Sequence, residues 1–155
     1  MLSTLHTNSA AATITRLRDM GLEDYLMTAT LKAVLAQRLV RRLCHRCKAA
    51  DPSPEALIER FGMTRLAPAK EIKLCRQVGC PACRGTGFHG RRAIAELLIP
   101  TRAIERLIFE GADDAAIEQA AIADGMRPIF DNGLLAVLEG DTTIEEVVRS
   151  IRSEA

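Results

Sequence analysis

Cys44-His45-Arg46-Cys47 and Cys80-Pro81-Ala82-Cys83 are two Cys-x-x-Cys pairs, the second following the first after a 32-residue gap. A two-residue spacer brings both sulfurs of a pair onto one ion about 2.3 Å away, and two such knuckles complete a tetrahedron. Four thiolates select zinc or an iron centre, and zinc is the usual occupant where nothing points to electron transfer. They leave no open coordination position, so the expectation is Zn2+ held structurally by Cys44, Cys47, Cys80 and Cys83. Gly85 and Gly87 permit the positive φ that such turns commonly demand. Arg46, Lys48, Arg84, His89, Arg91 and Arg92 crowd the pairs, which favours thiolates and offsets the charge of a tetrathiolate centre. Cys75 is separated from Cys80 by four residues, a poorer knuckle, and reads as a small packing hydrophobe.

Around this core of cysteines the composition is that of one ordinary globular domain with a small stapled lobe: 155 residues, 48% hydrophobic. Lys and Arg number 21 against 20 Asp and Glu, so no net field draws the chain to nucleic acid or an acidic membrane. Aromatics are 3% of the chain and Trp is absent, which removes the stacking platforms of a single-strand binder. No stretch approaches the roughly 20 apolar residues of a membrane-spanning helix, and five cysteines in this pattern fit metal binding in a reducing compartment; the chain reads as cytoplasmic.

Turn signals divide the rest. Met1–Leu5 reads as a short strand, and Asn8 or Ser9 as the cap of a helix carrying Ile14 and Leu17 and stopped by Gly21. A second helix is expected from Glu23, carrying Leu26, Leu31, Val34 and Leu35, with no breaker before Gln37. Arg38–Leu43 and Arg92–Ile99 read as two strands that pair antiparallel, so that a metal at the cysteines clamps the base of the excursion between them and fixes their register. Within the excursion, Ser53-Pro54-Glu55 starts a short helix with Ser as cap, closed by Gly62. Four helices follow: one capped by Thr101 and ended at Gly111, one through Ile117 and Ala121 to Gly125, one over Ile129–Leu138, and one opened by a Thr142-x-x-Glu145 capping box.

Leu2-Ser3-Thr4-Leu5-His6-Thr7-Asn8-Ser9-Ala10, Thr15-Arg16-Leu17, Ala36-Gln37-Arg38-Leu39-Val40, the Leu43-Cys44-x-x-Cys47 and Val78-Gly79-Cys80-x-x-Cys83 knuckles and Gly90-Arg91-Arg92-Ala93-Ile94-Ala95-Glu96-Leu97-Leu98 stand in one order. Together they resemble the type II secretion and type IV pilus assembly ATPases, closely from Leu2 to about Ile99 and more loosely beyond. The four cysteines fit the secretion and pilus-extension members better than the retraction ATPases, which lack the metal domain. The resemblance implies an α/β fold: the C-terminal part of a RecA-like P-loop ATPase domain over 1–43, a zinc-binding lobe over 44–91, a return strand over 92–99 and a C-terminal helical bundle over 100–155. It also implies a homo-hexamer driving inner-membrane secretion or pilus platform proteins, without membrane insertion of its own. Leu5-His6-Thr7 matches the family's His box, so His6 is expected to contact nucleotide phosphates; a ligand-free turn histidine is the plain alternative. ATP and Mg2+ belong to the full-length parent. No G-x-x-x-x-G-K-[ST] is present to cradle phosphates, and no acidic pair ends an apolar strand, so the chain is expected to be a fragment that neither binds ATP tightly nor hydrolyses it.

Other classes make distinct claims. A zinc-ribbon nucleic-acid module would place Arg38, Arg41, Arg42, Arg46, Arg84, Arg91 and Arg92 on phosphates, with steep salt dependence. Cys80-Pro81-x-Cys83-x-Gly85-x-Gly87 also resembles one zinc repeat of the J-domain chaperones, but those string several together and only one is present. A cysteine nucleophile ranks last, because the thiols are accounted for as ligands.

Overall fold

The computed structural model describes residues 2–68 and 71–152. Two compact units are built from alternating parts of the chain: Met1–Gln37 with Ala95–Ile129, and Arg38–Ile94 with Phe130–Ala155.

The first unit is helical. Ser9 caps α1 (Ala10–Asp19) through its hydroxyl, which accepts from Ala12 N, and Gly21 beyond its end adopts φ 87°. Helix α2 (Asp24–Thr30) is followed further on by α4 (Arg102–Phe109) and α5 (Asp114–Ala123), capped by Thr101 and Asp113. α1 packs on α5, α2 on α4, and α4 on α5. Ile14, Met27, Ile104, Ile108 and Ile117 are fully enclosed, each contributing roughly 1.5–3 kcal/mol of burial. Arg18 ties the helices at their ends, donating to Asp24 Oδ1 at 2.8 Å and to the carbonyls of Ala112 and Ile108, both at 3.1 Å. Burial, then the negative charges of Glu96 and Asp114, holds the Glu118 carboxyl above its ordinary pKa.

Strands β1 (Val34–Leu43) and β4 (Phe88–Leu98) hydrogen-bond to each other. Cys44, just past β1, donates its N–H to Gly87 O, just before β4, at 2.8 Å; the end of one strand meets the start of the other, so they run antiparallel. In the second unit a smaller antiparallel ladder joins β2 (Ala49–Ala50) to β3 (Cys75–Arg76), with Ala49 opposite Arg76 and Ala50 opposite Cys75. Helix α3 (Glu55–Arg60), α6 (Ile129–Leu138) and α7 (Ile144–Arg152) complete the elements. Val40, Leu43, Met63, Leu74, Ile94, Leu134, Val137 and Val147 are buried there.

Several expectations shift. Leu2–Leu5 forms no strand, and Met1 lies outside the described residues. The second helix stops at Thr30, and Val34 and Leu35 belong to β1. Val34, Ala36 and Val40 are buried while Leu35, Gln37 and Leu39 are exposed, a period of two that overrides the helical spacing of Leu31, Val34 and Leu35. The second strand begins at Phe88 rather than Arg92. Ser53 is not a cap: its N–H donates to Asp51 Oδ1 at 3.0 Å, and Pro54 occupies the cap position. The last helix is capped one residue later than the Thr142 box requires, since Thr143 Oγ1 accepts from Glu146 N at 3.4 Å. Thr142 is released to donate its hydroxyl to Arg41 O at 2.8 Å.

Gly133 in α6 is set by packing. A Cβ there would lie 2.5 Å from Val147 Cγ1 and 3.3 Å from Ile94 Cδ1. Gly133→Ala is therefore expected to destabilise by about 1 kcal/mol in urea titration, the overpacking exceeding the ~1 kcal/mol helix-propensity gain. Adding Val147→Ala should recover part of the loss.

Candidate metal centre

Each knuckle is shaped by backbone hydrogen bonds. In the first, Cys47 N and Lys48 N donate to Cys44 O at 3.1 and 2.8 Å; in the second, Cys83 N and Gly85 N donate to Cys80 O at 3.2 and 2.9 Å. These turns aim the sulfurs at one another. Cys44 Sγ lies 3.9 Å from Cys80 Sγ, while Cys83 Sγ lies 3.8 Å from both Cys47 Sγ and Cys80 Sγ. All four sulfurs fall within 4.8 Å of one another, far beyond the ~2.05 Å of a disulfide. A tetrahedron of about 2.3 Å metal–sulfur bonds has edges of about 3.8 Å, so the donor set fits a zinc-sized ion.

Cys47 and Cys83 already have backbone donors. Gly79 N points at Cys47 Sγ at 3.3 Å, and Cys80 N and Gly87 N each point at Cys83 Sγ at 3.2 Å. Burial opposes ionisation of Cys83, but these two amides and the neighbouring thiols outweigh it and bring its pKa down to about 6, whereas burial and the same thiols push its partner Cys47 up to about 11, so the negative charge settles on Cys83. A thiolate there is what a cation requires.

Two glycines make the geometry possible. Gly79 has φ 118°, and a Cβ on it would meet Gly85 O at 2.6 Å; Gly87 has φ 75°, and a Cβ would meet Gln77 Cβ at 2.5 Å. Sequence reading singles out Gly87 but misses Gly79, and misses Arg84, which takes φ 54° without being a glycine. Cys75 sits half-buried in β3, outside the group of four.

A tie to the far end of the sequence was not legible. The turn between α6 and α7 clasps the first knuckle and the strand before it: Leu43 N donates to Asp141 O at 2.8 Å and Lys48 Nζ to Gly140 O at 2.7 Å. Arg92 reaches Glu139 and Asp141, both at 2.5 Å, and Arg42 reaches Asp141 at 3.4 Å. Arg41 pairs with the buried carboxylate of Glu146 and lies 4.3 Å from the centre of the Phe88 ring. Three arginines that a nucleic-acid module would place on phosphates are thus engaged by carboxylates of the chain itself. In the other unit, His6 is exposed in the turn that leads into α1.

A family model described as "Type II/IV secretion system protein" matches residues 1–149. The chain belongs to this family. Among its relatives, it is 48% identical over 150 residues to a type II secretion system protein E of Xanthomonas campestris pv. campestris, covering 96% of this chain and 26% of that protein. It is 44% identical over 154 residues to the type II secretion system protein E of Aeromonas hydrophila, covering 99% and 30%. It is 43% identical over 149 residues to the type IV pilus assembly ATPase PilB of Thermus thermophilus, covering 96% and 16%. The chain thus spans less than a third of each of these type II/IV secretion relatives. Among the described residues, no helix is long and apolar enough to cross a membrane.

Proposed function

We propose that this chain is the C-terminal, noncatalytic portion of a RecA-like hexameric ATPase that powers type II secretion or type IV pilus assembly, and that Cys44, Cys47, Cys80 and Cys83 hold one structural zinc. What carries the reading is the four-sulfur cluster beside the point where β1 ends and β4 begins, in a chain of this family. Held there, the ion pins the two ends of the excursion between the strands, so the lobe keeps its shape without a large apolar core. In the longer parent, His6 contacts nucleotide phosphates, the exposed turn before α1 presenting its ring. ATP and Mg2+ are held by the parent's other segments, because this chain has no phosphate-cradling loop. The parent works at the cytoplasmic face of the inner membrane through platform proteins, to which the lobe and helices offer docking surface.

The test is direct. Protein purified without chelator should contain one zinc per chain by elemental analysis, and ATP turnover by the isolated chain should stay at background. Substoichiometric metal, or turnover that scales with chain concentration, contradicts the proposal.

A further inference from the structure

Glu96 is 2% exposed, an unusual place for a carboxylate that makes no ion pair among the described residues. Its two oxygens are divided between two helices: Oε1 accepts from Ala10 N at 2.7 Å, and Oε2 accepts from Ile129 N at 2.8 Å. Ala10 is the first residue of α1 and Ile129 the first of α6. Both N–H groups are among those a helix cannot satisfy internally, and both stand at the positive end of a helix dipole. The Ser9 side chain serves Ala12 N, so the donor of Ala10 depends on Glu96.

We propose that Glu96 is a positioning residue that sets the start of α1 and the start of α6 together, and through α1 the turn that presents His6. The two oxygens of one carboxylate keep a fixed separation of about 2.2 Å. A shift at one helix start must move the other or break a bond in a site that water does not reach, where an orphaned donor is costly. The turn is tied to α1 by Thr7, whose hydroxyl lies 2.7 Å from that of the largely buried Thr13. Displacing His6 therefore strains the first turn of α1, and Glu96 passes that strain to the N–H of Ile129 within the same unit. This coupling stands whether or not His6 meets a phosphate.

Amide hydrogen exchange by NMR on the full chain tests it. Glu96→Gln keeps the size but leaves one acceptor where two are needed. The amides of Ala10 and Ile129 should each exchange at least about tenfold faster, by similar factors, beyond any change in Ile108→Val, which trims the same unit but removes no acceptor from either amide. The His6 ring resonances should move in Glu96→Gln and stay in place in Ile108→Val. Faster exchange at only one of the two amides, no excess over Ile108→Val, or an unmoved His6 ring overturns the proposal. If Glu96→Gln does not fold, the wild-type chain decides: as denaturant is raised, the two amides should follow one opening curve, and separate curves overturn it.

Discussion

Cys83→Ser is expected to leave the chain without stoichiometric metal and to lower its thermal midpoint by about 10 °C. Cys83 is the best-supported of the four sulfurs, within 3.8 Å of both Cys47 and Cys80 and receiving two amide donors. A serine hydroxyl is not ionised near neutrality and sits closer to the backbone, so one corner of the tetrahedron is lost and three thiolates hold the ion weakly. Ion binding to a site that exists only in the folded chain adds to folding free energy, and its loss at about 3 kcal/mol corresponds to a shift of that size for a chain of 155 residues. Cys75→Ser is the matched control and should retain zinc with little change in melting. Elemental analysis alongside calorimetry reads both. Retained metal with an unchanged midpoint in Cys83→Ser contradicts the assignment of this residue as a ligand.

The cysteine pattern was readable because ligand spacing is local: a two-residue gap fixes a turn whatever the rest of the chain does. Helix caps such as Ser9 and Thr101, and the glycine stops after them, are local in the same way and stand where expected. What failed to show in sequence depends on distance. Val34 and Leu35 sit at helical spacing after Leu31, and only the ladder formed with β4, more than 50 residues on, draws them into a strand. The Thr142 box is a sound local signal that loses to Arg41 O, which takes the Thr142 hydroxyl and moves the cap to Thr143. Nothing local marks Glu96 or Glu146 for burial, yet both are buried: Glu96 bonds to Ala10 and Ile129, 86 and 33 residues away, and Glu146 adds to its local partner Arg149 the distant Arg41, 105 residues away.

Glu146→Gln is expected to destabilise the chain by about 2 kcal/mol at pH 7, with the loss vanishing in acid. Glu146, 3% exposed, accepts from Arg41 Nε at 2.9 Å and from Arg149 Nε and Nη2 at 3.1 and 2.7 Å, and Arg41 completes a two-pronged grip through Nη2. This one carboxylate ties α7 to β1, and through the Arg41–Phe88 stack to β4. Burial alone would raise its pKa, but the two guanidiniums outweigh burial and lower it from 4.5 to about 2. A carboxylate pKa that is depressed on folding stabilises the native state above the unfolded value, and that contribution is lost as pH falls through the folded value. The gap between wild type and Glu146→Gln should therefore hold constant above pH 5, then close between about pH 4.5 and 2. The magnitude is below the full linkage value because both arginines are substantially exposed to water. Asp141, also held low although burial opposes it, pairs with Arg92 and Arg42 instead and is present in both proteins, so its titration cancels in the difference. Denaturant midpoints at pH 7, 4 and 2.5 measure the gap. A gap of the same size at pH 2.5 as at pH 7 shows that the side chain acts through shape alone and that the ion pairs do not hold α7 in place.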